Sequence, residues 1–285
     1  MMTEFRPGSF QILPTIIKNL LIINVLVFFA QIVYDGMGGS DLEPQTGLLM
    51  NVFALHSIES PLFRPWQLIT HMFMHGSMLH IFSNMFALWM FGSILENIWG
   101  PRRFLIFYLV CGVGAAAIHL GSLSWEYHSL FNDFLAFKGN PSQRNFTELI
   151  SNGAFAGVDK HQILELTRNW PDDPVLARSY SAAVLDETSG IIQNMMRTPT
   201  LGASGAVFGC LAAFGYLFPN TYISLYFFIP LKAKWFVLIY IGFELTMALR
   251  HSAGGIARWA HLGGALVGFL LVFFWNRSKK KTFYR

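Results

Sequence analysis

The chain has 285 residues, of which 53% are hydrophobic, 16% aromatic and only 13% charged, and its mean hydropathy is +0.44. A soluble globular domain carries about 25% charged residues, so this composition excludes an ordinary soluble domain and points to a multi-pass membrane protein. The net charge of +4 is spread over short segments between apolar runs; it reads as a topology signal and not as a nucleic-acid-binding surface.

A spanning helix needs about 20 mostly apolar residues. Six stretches qualify in chain order: 14–34, 77–98, 104–123, 202–218, 234–250 and 258–276. The fourth is short and the second carries polar residues, so these two rest partly on their neighbours. Lys and Arg in the flanks set the orientation. Arg6 and Lys18, Arg102 and Arg103, Lys232 and Lys234, and the tail Arg277, Lys279, Lys280, Lys281 and Arg285 alternate onto one side, expected to be cytoplasmic. The loop between spans 1 and 2 has only Arg64, while Arg250 and Arg258 at the 5–6 turn are a mild exception. The expected division is a cytoplasmic tail 1–13, spans 1–3 over 14–124, a non-cytoplasmic insertion 125–197, spans 4–6 over 198–276 and a basic cytoplasmic tail 277–285. The expected location is a bacterial inner (plasma) membrane, with both termini cytoplasmic.

The insertion holds nine acidic and six basic residues, a net of −3. Within it, KHQILELTRN and PVLARSYSAAVLDETSGIIQNMMR read as amphipathic helices, with Pro171 and Pro174 breaking between them. A connection this long is functional or disordered as a rule; here it is either a solvated decoration or a cap that controls access to the bundle. Cys111 and Cys210 both fall inside spans and show no metal or disulfide spacing.

Polar side chains inside spans are costly and mark functional sites by default. Ser204 stands in Gly202-Ala203-Ser204-Gly205 near the outer end of span 4. Gly205 and Gly209 form a small-residue face for close helix packing, and a helix beginning here would direct free N–H groups and the positive end of its dipole at the serine. His261 lies one turn inside span 6, beside a second small face of Ala260, Gly264 and Gly268. Two such faces can bring the imidazole within reach of the hydroxyl as a general base. In span 2, His80 and Asn84 are four apart and share a helix face; both are donors suited to an oxyanion hole. His71 and His75 have i,i+4 spacing, but no H-E-x-x-H or intramembrane Asp accompanies them. They are expected to tie down the loop before span 2, and no metal site is expected. Glu96, near Arg102 and Arg103, is expected to form an ion pair. Glu244 lies well inside span 5, with Arg250 as its candidate partner.

These residues carry a resemblance. His75-GSML-His80-IFS-Asn84, Gly202-Ala-Ser204-Gly205 and Ala260-His261-Leu-Gly-Gly264, in that order and on spans 2, 4 and 6, resemble the rhomboid family of intramembrane serine proteases. The resemblance covers roughly residues 14–124 and 198–276. It implies an all-α membrane protein: a six-transmembrane-helix rhomboid-like bundle, here with a polar insertion between helices 3 and 4. It also implies a Ser–His dyad without an aspartate, Ser204 as nucleophile and His261 as base. His80, Asn84 and the Ser204 N–H would form the oxyanion hole. The implied substrates are single-span membrane proteins cut in or beside the bilayer, without a cofactor. Two departures stand out. Many relatives carry Trp-Arg before the histidine segment where this chain has Trp66-Gln67, and the 73-residue insertion exceeds a minimal core.

Overall fold

The computed structural model describes residues 10–35, 47–151, 168, 174–225, 229–249 and 258–282. Arg6, Arg250, Arg285, Pro171 and all of KHQILELTRN except Arg168 lie outside the described residues. Helix α1 spans Thr15–Asp35. Loop 1 follows, with short helices α2 (Leu48–Phe53) and α3 (Gln67–Thr70) and a 3-10 turn over His71–Phe73. Helix α4 runs over Met78–Trp99 with a π-turn at Leu88–Gly92, α5 over Pro101–Gly139, α6 over Gln143–Ser151 and α7 over Pro174–Arg197. Helix α8 spans Ser204–Leu217, and α9 (Ala233–Leu249) and α10 (Arg258–Thr282) complete the chain order.

The protein is mostly helical, and among the described residues α1, α4, α5 and Arg258–Arg277 of α10 are long and apolar enough to cross a bilayer. Helix α8 is apolar but only 14 residues long, and α9 has 17. Large apolar side chains face outward on the long helices, among them Phe29, Leu79, Phe82, Ile239 and Phe274, all more than half exposed. Polar ones turn inward, including Asn24, Gln31, Asn84, Glu96 and Glu244. That distribution suits a hydrocarbon surround, where an inward polar group finds partners that lipid cannot supply.

The structure departs from an all-α reading between α8 and α9. There β1 (Tyr222–Leu225) pairs antiparallel with β2 (Ile229–Lys232) in the register Tyr222↔Lys232 to Leu225↔Ile229. An isolated bridge also joins Leu55 to Thr200. A second departure concerns span 3. Its helix does not end near residue 123 but continues unbroken to Gly139. Hydropathy records where lipid ends, and EYHSLFNDFLAFK holds neither Gly nor Pro to break the helix after the apolar run stops. The far half of α5 packs with α6 and α7 around a separate small core of Leu130, Phe137, Phe146, Leu149 and Ile192.

Glu96 corrects an expectation. Among the described residues it makes no ion pair with Arg102 or Arg103. Its carboxylate instead accepts the N–H groups of Ile16 and Ile17, each at 2.9 Å, at the N-terminus of α1, where unpaired donors and the helix dipole favour an anion. Arg103 lies over the Trp275 ring, 4.1 Å from its centroid. Glu96→Leu should therefore lower stability by about 2 kcal/mol or more, read as a fall in Tm in detergent. Arg102→Ala should leave Tm close to wild type, because no Glu96 pairing is lost.

Candidate active site

The core of the bundle is built where α8 and α10 meet backbone to backbone and the small side chains of α5 close on α8. A Cβ on Gly205 would lie 2.5 Å from Ala115 Cβ, and one on Gly209 would lie 2.6 Å from Cys111 Sγ and 3.1 Å from Gly264 O. A Cβ on Gly264 would collide with Gly205 O, and one on Gly268 would lie 2.6 Å from Gly209 Cα. This backbone contact along two small faces sets the distance between Ser204 and His261. His261 Nε2 lies 2.8 Å from Ser204 Oγ. Both residues remain partly exposed.

Ser204 is the first residue of α8. The first backbone bond of that helix runs from Val207 N to Ala203 O at 3.0 Å, so the N–H groups of Ser204, Gly205 and Ala206 have no helical acceptor. Before the helix, Gly202 has φ +119, a region that side-chain-bearing residues rarely adopt. A Cβ there would also lie 2.7 Å from His80 Nε2 and 3.7 Å from Asn84 Nδ2. Gly202 thus brings the segment before the serine directly against His80 and Asn84. Gly76 N–H donates to His80 Nδ1 at 3.4 Å, which leaves Nε2 to carry the ring hydrogen toward Gly202. Asn84 Nδ2 donates to His80 O at 3.1 Å.

Ser204, His261, His80, Asn84 and Gly202 therefore come together. His71 and His75 sit in the loop behind them. The carbonyl of His71 accepts the Gly202 N–H at 2.9 Å, and its Nδ1 lies 2.7 Å from Gln67 O. The main chain of His75 is held from both sides by the Gln31 amide of α1: its N–H donates at 3.0 Å and its carbonyl accepts at 3.1 Å. Burial pushes the His71 imidazole down to about 4, against its hydrogen bond to Gln67, and burial, with repulsion from a protonated His80 as a lesser cause, pushes His75 down to about 3. An unfolded histidine titrates near 6.5. The stability these neutral rings contribute is complete above that value and is lost as pH falls from about 6.5 toward 4. A Tm series from pH 7 to pH 5 should fall in wild type and fall less in His71→Gln.

Gln67, which stands where many relatives carry the arginine of Trp-Arg, anchors the loop before α4. It is fully buried. Its Nε2 reaches the carbonyls of Leu62 at 3.0 Å and of Asn51 and Val52 at 3.3 Å. Its Oε1 accepts the N–H groups of His56 and Arg64, both at 3.2 Å. A guanidinium has no acceptor and could not serve those two N–H groups. Gln67→Leu should cost about 2 kcal/mol or more by leaving the buried His56 N–H unpaired and the Arg64 N–H without its acceptor, read as a lower Tm.

Three contacts were not foreseen from sequence. Phe208 stacks on His261 with ring centroids 4.3 Å apart and 6° between planes; its i+4 spacing from Ser204 is a signal that could have found it. His119 Nε2 lies 2.8 Å from Thr200 Oγ1, tying the segment before Ser204 to α5. Glu244 Oε2 lies 3.4 Å from His261 Nδ1. Among the described residues, no three His, Cys, Asp or Glu side chains gather where they could hold a metal.

Apolar helices around a serine–histidine pair define an integral membrane protein with a polar centre inside its bundle. The Rhomboid domain model matches residues 62–127 and 175–278, more than half of the chain, and the chain belongs to the rhomboid family. It is 28% identical over 221 residues to a mitochondrial rhomboid protein of Schizosaccharomyces pombe, covering 75% of this chain and 52% of that one. It is 27% identical over 235 residues to a mitochondrial RHOMBOID-like protein of Arabidopsis thaliana, covering 82% and 53%. A rhomboid protease of Providencia stuartii is 29% identical over 118 residues, 41% of this chain and 39% of that one. The chain spans about half the length of the first two. Their mitochondrial names lend no support to a bacterial inner membrane; the apolar helices speak for membrane integration alone.

Proposed function

We propose that this chain is an intramembrane serine endopeptidase that hydrolyses a peptide bond in or beside the transmembrane segment of single-span membrane proteins. The observation that carries the reading is the 2.8 Å approach of His261 Nε2 to Ser204 Oγ at the head of an apolar helix. The family assignment and the similarity to a named rhomboid protease support the same class. The proposed frame is a six-span bundle, with α8 and α9 as its short spans, the non-cytoplasmic insertion 125–197 and both termini on the cytoplasmic side.

In the proposed reaction His261 Nε2 takes the Ser204 proton as Oγ bonds to the scissile carbonyl carbon. The carbonyl electron pair moves onto oxygen, and that oxyanion faces His80 Nε2–H, Asn84 Nδ2–H and the Ser204 N–H. Each such donor is worth about 3 kcal/mol in a soluble protease. Collapse expels the amine, which takes its proton from His261 and leaves an acyl-enzyme. Water, deprotonated by His261, then releases the acid and restores the serine. A helical peptide bond is shielded by its own hydrogen bonds, so substrates with Gly or Pro near the cut should be favoured. The reaction requires neither metal nor cofactor.

The test is cleavage of a panel of tagged single-span proteins in liposomes, by wild type beside folded Ser204→Ala. Cutting by wild type that survives chelator and vanishes in the variant is expected. Cutting that persists without Ser204 would overturn the reading.

A further inference from the structure

Glu244 is a carboxylate in the apolar helix α9 and is buried. An ionisable group in such a helix is expensive and needs a partner. Its partner is the ring nitrogen of His261 that faces away from the serine. Glu244 Oε2 lies 3.4 Å from His261 Nδ1, an ion-pair separation, and among the described residues both atoms are buried without a hydrogen bond, to each other or to any third group. One imidazole thus bridges the Ser204 hydroxyl at 2.8 Å and the Glu244 carboxylate, with Phe208 flat against its face. Three helices each supply one member of the row: α8 the serine, α10 the histidine and α9 the glutamate.

We infer that Glu244 is a positioning residue for the reaction, extending the serine–histidine pair to a Ser204–His261–Glu244 row. This inference rests on the hydrolytic reading above. The carboxylate accepts the His261 Nδ1–H and so holds the ring as the tautomer whose Nε2 lone pair faces Ser204. When the Ser204 proton moves to Nε2 and Oγ bonds to the carbonyl carbon, the imidazolium keeps its Nδ1–H and Glu244 stays ionised beside it. No proton passes to the carboxylate. A separation of 3.4 Å is long for a hydrogen bond, and catalytic hydrogen bonds are often long before substrate arrives. Sequence reading had no route to this contact, since residues 244 and 261 are joined only through the packing of two helices.

The test compares Glu244→Leu, Glu244→Asp and Ser204→Ala with the wild-type full chain. Leucine suits an apolar helix, so the variant is expected to fold, checked by its Tm. In liposomes, Glu244→Leu should lower kcat about 100-fold while KM stays within about twofold, and Glu244→Asp should recover part of the loss. Nitrogen-15 histidine NMR of the micellar protein at fixed neutral pH should find hydrogen on His261 Nδ1 in wild type and a shift toward the other tautomer in Glu244→Leu. A wild-type kcat and an unchanged tautomer in Glu244→Leu, beside an inactive Ser204→Ala, would sink the assignment of Glu244 alone. So would a lowered Tm with the tautomer unmoved, which is the signature of a merely structural carboxylate. Activity in Ser204→Ala would instead sink the hydrolytic reading, and the tautomer would still report whether Glu244 orients the ring.

Discussion

Ser204→Ala, His261→Ala and the double variant are expected to be equally inactive, each about 10⁴-fold or more below wild type. The reason is geometric. With the imidazole 2.8 Å from the hydroxyl, neither group has a separate task in forming the acyl-enzyme. The serine is a poor nucleophile without a base, and the base has no proton to take without the serine. Removing the second member of a unit already broken should change nothing further. The measurement is kcat for all three variants on one substrate in liposomes, with folding verified for each. A double variant far below both singles would show that the two residues contribute independently, and the acyl-enzyme route would have to be abandoned.

Gly264→Leu is expected to disrupt the bundle, at a cost of about 3 kcal/mol or more, and to remove activity with it. Even a methyl at this position would collide with Gly205 O, and one turn further along, at Gly268, it would lie 2.6 Å from Gly209 O. These contacts are backbone, which cannot rotate out of the way as a flexible side chain can. Helix α10 would have to move off α8, carrying His261 away from Ser204. Gly242→Leu is the control: a Cβ there meets nothing within 4 Å, so stability should hold or rise through better helix propensity. Tm values for the pair in detergent decide the matter. Similar behaviour of the two variants would mean that the α8–α10 contact does not govern stability.

The parts of the site written into single helices were legible in the sequence. His80 and Asn84 share a face because they are four apart, and the glycines at 205, 209, 264 and 268 announce backbone contact by leaving out side chains. That two such faces would meet was a reasonable inference, since small-residue faces have little else to do in a bilayer. What stayed hidden depends on space and not on spacing. Glu96 has arginines six and seven residues on, yet its carboxylate serves the start of α1, which lies some 80 residues earlier in the chain. For Glu244 the sequence offered Arg250 on its own span, because the His261 ring beside it arrives on another helix. Gln67 showed in the sequence only as a difference from Trp-Arg; the N–H groups of His56 and Arg64 around it show why an amide fits. The length of the helix that carries span 3 was not legible, because polarity marks the edge of the lipid and says nothing about where a helix stops.

The uninterrupted α5 has a mechanical consequence. At about 1.5 Å per residue its 39 residues make a rod about 58 Å long, roughly twice the ~30 Å thickness of the hydrocarbon layer. One half carries Cys111 and Ala115, which press on Gly209 and Gly205 of the serine-bearing helix; the other half carries the small core with Phe146, Leu149 and Ile192. With no hinge between them, the helices packed on its far half stand on a stiff mast stepped beside Ser204. A force or a binding event at the masthead is delivered as leverage at its foot, where the backbones have no slack to absorb it.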